Sequence, residues 1–209
     1  MAFPEPLERL IRALERFPGV GPRSAERMAL HVLRLPTEEV AEVAMALRDA
    51  RLQTRRCEIC RNVTLESPCP ICADAGRDHG LVLVVEGPRE VGRLEDARIH
   101  NGVYHVLLEG FAPREGSEPD SDALASLCRR VASGKVREVV LATAPDREGE
   151  GCALLVREAL GGTEVPLTRL ARGLPVGTRL EYLHKEILAE AFQGRRPWTE
   201  GSSGGAAGE

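Results

Sequence analysis

Four cysteines stand in two pairs, Cys57-Glu58-Ile59-Cys60 and Cys69-Pro70-Ile71-Cys72, with eight residues between them. Each Cys-x-x-Cys knuckle aims both sulfurs at a common point, so two knuckles at short separation surround one Zn²⁺ tetrahedrally. Four thiolates leave no open position for water, and such a metal holds structure rather than hydrolysing substrate. The alternatives are two disulfides, which need an oxidising compartment, or a redox Cys-x-x-Cys, which would come singly. A structural zinc site is the expectation. A second set is anionic: Glu86 stands after an aliphatic run, and Asp146, Glu148 and Glu150 stand together in Ala144-Pro145-Asp146-Arg147-Glu148-Gly149-Glu150. Converging, these acids would form a Mg²⁺-binding cluster for phosphoryl chemistry. Standing apart, they face water or begin the next helix.

A third set is cationic. Phe17-Pro18-Gly19-Val20-Gly21-Pro22 separates two apolar-periodic segments, and Arg23, Arg27 and Arg34 follow on one stripe. Gly19 and Gly21 are free to take φ > 0 or to bare backbone N–H groups, and Pro22 suits the first turn of a helix. A glycine turn feeding a helix N-terminus offers amide donors and a positive dipole end to an anion. Amides with an arginine stripe suit phosphodiester oxygens and ask nothing of base identity. The plainer reading is an ordinary αα-hairpin with a solvated charged face; the string Pro-Gly-Val-Gly-Pro-Arg-Ser favours sequence-independent DNA contact. Arg48, Arg51, Arg55 and Arg56 precede the first knuckle, either as dipole partners of a helix end or as a second phosphate-contacting patch.

The elements that must position these groups follow from periodicity. Leu7, Leu10, Ile11, Leu14 and Phe17 mark an amphipathic helix over 5–17. A second helix runs from Pro22 to about Leu35 and buries Ala25, Met28, Ala29 and Val32, so the two make a helix-hairpin-helix. Thr37 caps a third, whose apolar stripe is Val40, Val43, Leu47 and Ala50. Beyond Gly80 the pattern changes: Leu81–Val85 is a continuous aliphatic run, as in a strand buried on both faces of a parallel sheet. A helix with Val91 and Leu94, a strand at Val103–Leu108, a polar loop with Pro113, Gly116 and Pro119, a helix at Ser121–Ala132 and a strand at Val136–Thr143 come next. After the acidic loop come a helix with Leu154, Leu155 and Leu160, a strand near Val165–Ala171, the turn Gly173-Leu174-Pro175-Val176-Gly177, and a last helix with Ile187, Leu188, Ala191 and Phe192. Alternating strands and helices imply a parallel α/β sheet with functional groups at its strand ends.

The 209 residues suffice for one large domain or two to three small ones, and with 3% aromatics the core is aliphatic. No charged start with an apolar run opens the sequence, and no apolar stretch approaches the ~20 residues of a membrane helix; a cytoplasmic, nucleoid-associated protein is expected. Cys128 and Cys152 lie within apolar helical patterns and read as core. The net charge is −4, yet residues 1–77 carry 12 Arg against 11 acids while the remainder carries 16 bases against 21 acids. A single copy is a poor electrostatic match for nucleic acid, so strong binding requires a local patch repeated in an oligomer.

The order of parts resembles the RecR family of bacterial recombination mediators along essentially the whole length up to the tail. The strings that carry the resemblance are Phe17–Ala25, the two knuckles, Val84-Val85-Glu86, Val139–Thr143 with Glu148-Gly149-Glu150, and Gly173–Gly177 with Leu180-Glu181-Tyr182. The resemblance implies a division into a helix-hairpin-helix region (1–56), a four-cysteine zinc module (57–79), a Toprim domain (80–172) and a C-terminal oligomerisation segment (173–198), while the small, polar, glycine-rich composition of the tail (199–209) leads to an expectation of disorder there. It implies a ring, typically a tetramer, that encircles single- or double-stranded DNA. Such a ring acts with RecO, and with RecF, to load RecA on gapped DNA covered by single-strand-binding protein. Arg23 and Arg27 would then contact DNA, Cys57, Cys60, Cys69 and Cys72 would bind zinc, and Glu86, Asp146 and Glu148 would serve partner or weak Mg²⁺ contact.

Two positions depart from the family pattern. Asp146-Arg147-Glu148-Gly149-Glu150 looks more like the Asp-x-Asp-Arg-Glu-Gly-Glu of type IA topoisomerases than the family usually does, yet Ala144 stands where the first aspartate would be, leaving a Mg²⁺ cluster one ligand short. Leu183-His184-Lys185 stands where an acid is expected after Leu-Glu-Tyr. Among enzymes, a topoisomerase needs a nucleophilic tyrosine on a further domain, and only Tyr104 and Tyr182 exist. A small Mg²⁺-dependent Toprim nuclease is the better catalytic alternative. Gly134-Lys135 lacks the rest of a phosphate-binding loop, and the short knuckles carry no polar set for base edges.

Overall fold

The computed structural model describes residues 3–107, 121–195 and 197. The polar loop with Pro113, Gly116 and Pro119, the end of the strand expected to reach Leu108, Trp198 and the tail lie outside the described residues. The chain divides into two compact units, Met1–Arg56 and Cys57–Glu209.

In the first unit, α1 (Glu5–Leu14) begins with Glu5 and Glu8 in its first turn and Pro6 near its start, where a missing N–H matters least. It packs on α2 (Pro22–Val32) through Leu7, Ala25 and Ala29. The alanines are the reason the helices approach closely: both are fully buried, whereas Met28, expected on the buried stripe, is 42% exposed. Helix α3 (Thr37–Gln53) buries no residue at all. Its expected stripe is in the open, with Val43 and Leu47 both more than half exposed. Thr37 is also not the cap: Pro36 occupies that position, and no side chain caps the helix.

The second unit opens with the two-residue strand β2 (Val63–Thr64), β1 being Arg55–Arg56, and with the four-residue helix α4 (Pro70–Ala73). Then come β3 (Asp78–Val85), α5 (Pro88–Ala97), β4 (Gly102–Val106), α6 (Ser121–Ala132), β5 (Glu138–Leu141), α7 (Arg147–Ala159), β6 (Leu167–Arg169), a 3₁₀ turn at Leu180–Tyr182 and α8 (Lys185–Gln193). Four strands form a parallel sheet in the order β4-β3-β5-β6.

The aliphatic run of β3 alternates between two cores, as its two-residue period requires. Val82 and Val84 join Val103, Leu107, Leu127, Val139 and Val156 on the face that α6 and α7 cover. Leu83 and Val85 join Val91, Tyr104 and Val106 on the other. Cys152 is buried in the first core and Cys128 packs against it partly buried, as expected of inert thiols. Tyr104, one of two tyrosines a nucleophilic mechanism could have used, is sealed in the second core. Its hydroxyl donates to Glu95 Oε1 at 2.6 Å, and Arg77 Nη1 donates to the same oxygen at 2.8 Å. Burial, then the Glu95 carboxylate, push its ionisation above the usual range.

The sheet's strand ends are set by one close approach. A Cβ on Gly149, in the first turn of α7, would lie 2.1 Å from the Ala144 carbonyl oxygen and 2.7 Å from Glu86 Oε1. No side chain fits there, so glycine lets α7 dock on the loop that leaves β5. Gly149→Ala is expected to destabilise the protein by about 2–3 kcal/mol, lowering its thermal midpoint by about 5–10 °C in a calorimetric comparison with the parent.

Candidate zinc centre and nucleic-acid interface

The knuckles fold as their spacing requires. Arg61 N donates to Cys57 O at 2.9 Å and Cys57 N to Asn62 O at 2.8 Å, with Arg61 in the left-handed region at φ 64°. On the second knuckle, Ala73 N donates to Cys69 O at 2.9 Å as α4 begins. These turns bring four free, buried cysteines together, their sulfurs all within 4.8 Å of one another. The Cys60 and Cys69 sulfurs are 3.5 Å apart, close to the ~3.8 Å edge of a tetrahedron with Zn–S of ~2.3 Å. Cys69 N also points at Cys57 Sγ at 3.3 Å, a donor aimed at a thiolate.

The electrostatics make a cation necessary. Burial pushes the Cys57 thiol up, but amides of Cys60, Cys69 and Ile59 more than reverse this and bring it down to about 7. Cys69 is pushed up to about 11, chiefly by burial. Cys60 rises beyond any ordinary range, first through its contact with Cys72 and then through burial. Four thiolates therefore cannot share this site without a compensating ion, and Zn²⁺ fits donor type, number and spacing. Among the described residues, this is the one group of three or more His, Cys, Asp or Glu side chains close enough to hold a metal.

The expected phosphate site lies at the hairpin. Gly19 takes φ +79°, which a side chain would resist, and so turns the chain toward α2. Gly21 does not use that freedom: at φ −84°, ψ 172° it is an extended N-cap that any residue could adopt. Its contribution is bareness, since it has no side chain to cover the helix end. No side chain caps α2 and no acid stands in its first turn, so the Arg23 and Ser24 amides and the dipole face outward. Arg23, Arg27 and Arg34 are exposed and line one shallow hollow with Glu26, Leu30 and His31.

The acids sit at the strand ends but are engaged locally. Glu86 Oε1 accepts the Ala144 amide at 2.8 Å, and Asp146 Oδ1 accepts the Gly149 amide at 2.8 Å as the N-cap of α7. Together with Glu148 they stand near enough to Cys152 to help burial push its thiol up to about 11. Glu150, grouped with them in sequence, is not part of that set. It accepts Arg169 Nη1 at 2.8 Å and also pairs with Arg172, which hold its carboxyl down at about 2. Arg172 in turn pairs with Glu190 of α8. No motif announces Arg169 or Arg172; only the turn of the chain after β6 brings them to Glu150.

With this geometry, the relatives of the chain are informative. Residues 7–51 match the family model of the RecR helix-hairpin-helix, residues 54–74 that of the RecR four-cysteine zinc finger domain, and residues 80–171 that of the Toprim domain. The chain belongs to the RecR family. It is 46% identical to the recombination protein RecR of Moorella thermoacetica over 93% of this chain and 98% of that one. It is 43% identical to that of Desulforudis audaxviator over 94% and 99%, and 43% identical to that of Pelotomaculum thermopropionicum over 93% and 97%. The four clustered cysteines are accordingly a structural Zn²⁺ site, with Cys57, Cys60, Cys69 and Cys72 as the residues that would hold the ion. No described helix is long and apolar enough to cross a membrane.

Two outcomes test the site's electrostatics. Stripping zinc with a strong chelator is expected to lower the thermal midpoint by about 10 °C or more, read by circular dichroism against the untreated protein. Glu150 has a carboxyl depressed from its ordinary 4.5 to about 2, so it stabilises the fold above pH 4.5 and loses that contribution as pH falls toward 2. Glu150→Gln should flatten the acid limb of a urea-midpoint-against-pH curve while leaving its neutral slope unchanged.

Proposed function

We propose that the chain is a non-enzymatic DNA-binding mediator of recombinational repair. It would act as a ring-forming clamp, a tetramer, with RecO and RecF to load RecA on gapped DNA coated with single-strand-binding protein. The observation that carries this reading is the uncapped N-terminus of α2, open to solvent beside Arg23, Arg27 and Arg34. Amides and guanidinium groups in that setting grip phosphodiester oxygens of single or double strands alike, weakly per copy and with strong salt dependence. Repetition around a ring turns weak contacts into useful retention. In this reading 1–56 serves DNA, 57–79 holds zinc, 80–172 is the Toprim body, and 173–198 carries subunit contact. The protein would work in the cytoplasm at the nucleoid.

Exposed apolar surface supports assembly. Val43, Leu47 and Leu52 stand out on α3, and Leu174, Val176, Leu180, Tyr182 and Phe192 do so toward the C-terminus. A monomer that left both regions wet would be prone to associate through them. A catalytic metal cluster is the weaker reading, because Glu150 is bound by two arginines, Glu86 and Asp146 already accept main-chain amides, and Ala144 brings no ligand. Glu86, Asp146 and Glu148 are better suited to meet a basic partner.

Arg23→Glu with Arg27→Glu is expected to weaken binding to a short fluorescent oligonucleotide by about 10- to 100-fold at low salt. Light scattering should show the same oligomer in parent and variant. Parental affinity in the double variant would remove the hairpin from the function, and a strict monomer at every concentration, with or without DNA, would remove the ring.

A further inference from the structure

Strand β4 is an edge of the sheet. Main-chain groups of successive strand residues face opposite edges. Leu107 N donates inward to Val85 O on β3 at 2.9 Å, so residues 104 and 106 present their groups to the open side. Both are taken. Val106 N donates to Cys60 O at 2.8 Å, and the Tyr104 carbonyl accepts Arg130 Nη1 at 2.8 Å. The edge thus holds, two residues apart, the main chain of a zinc cysteine and a guanidinium delivered by the last turn of α6. Ile71, from inside the second knuckle, packs against both cores of the sheet as well as against the cysteines.

Zn²⁺ with four thiolates carries a formal charge of −2, and the four cysteines here are between 0% and 7% exposed. A dianion so far removed from water is unfavourable unless hydrogen bonds or a cation offset it. Arg130 is half-buried beside it. Burial acts to discharge the guanidinium, and the groups acting against that are the sulfurs of Cys72, Cys60, Cys57 and Cys69, in that order. The geometry agrees: the guanidinium sits on the Tyr104 carbonyl, two residues along the strand from the Val106 amide that holds Cys60 O.

We propose that Arg130, anchored on the Tyr104 carbonyl, is the outer-sphere cation of the zinc centre, offsetting the charge of the tetrathiolate and slowing loss of the metal. It is a positioning residue: it touches no metal, and it makes the α/β sheet a contributor to the zinc site. This rests on the four-cysteine zinc assignment, which metal analysis at one zinc per chain checks separately. Partners outside the ligand set commonly change metal retention by about 10- to 100-fold.

The test uses the full chain with Arg130→Gln, which keeps a donor for Tyr104 O but no charge. Arg130→Lys keeps the charge on a single ammonium in place of the guanidinium, and Arg129→Gln is an exposed neighbour on the same helix. Two quantities are read: the rate of zinc transfer to a chromophoric chelator, and the thiolate-to-metal charge-transfer band of the cobalt-substituted protein. Arg130→Gln is expected to release zinc about 10- to 100-fold faster with a displaced band, Arg130→Lys about threefold faster, and Arg129→Gln at the parental rate. A folded Arg130→Gln with parental rate and parental band overturns the proposal. Should that variant not fold, Arg130→Lys decides by its pH dependence: release that rises relative to the parent between about pH 8 and 11, where a lysine but not an arginine gives up its proton, supports the proposal, and a constant ratio overturns it.

Discussion

Four sulfurs sealed from water within 4.8 Å of one another can coexist as thiolates only around a cation, and much of the second unit's organisation follows from that constraint. The segment between β1 and β3 is too short to build a core, so the ion does what apolar burial does elsewhere. Once formed, the cluster is not an appendage. Cys60 closes the edge of the sheet through Val106, and Ile71 packs against both of the aliphatic cores that the sheet separates. An open β4 edge would be a template for pairing with another chain, and the zinc loop covers it. The metal thereby stabilises the sheet as well as the knuckles.

The first unit solves a different problem with less material. Two fully buried alanines and Leu7 hold α1 on α2, with Leu10, Ile11, Leu14, Leu30 and Val32 only partly covered around them. Such a hairpin has little stability to give, but it does not need a deep site. What the N-terminus of α2 shows is an absence: no side chain caps it and no acid stands in its first turn, the nearest being Glu26 in the hollow beside the arginines. The net charge of −4 argues against long-range attraction by a single copy, so whatever holds phosphate must act at contact range.

Features set by local spacing were legible in the sequence. The cysteine pairs, the run Leu81–Val85 and the glycine turn each depend on residues within about ten positions, and each appears where its spacing placed it. The misses have a common cause. Met28 and the stripe of α3 have helical period but no surface within the described chain to cover them, so periodicity alone overstated burial. Thr37 has cap chemistry, yet Pro36 before it takes the cap position and leaves the threonine inside the helix. Arg130, Arg169 and Arg172 belong to no motif; their partners lie far along the chain, and only the fold makes them neighbours.

The acids at the strand ends show how a shared fold is put to a particular use. Among the described residues only the cysteines are gathered closely enough to hold a metal, and at the strand ends the Ala144 amide is the donor to Glu86. Asp146 has become a helix cap, and Glu150 ties α7 to β6 and, through Arg172, to α8. Each of these carboxylates has gained a structural partner, so the strand ends hold a braced set of side chains rather than a flexible set of ligands.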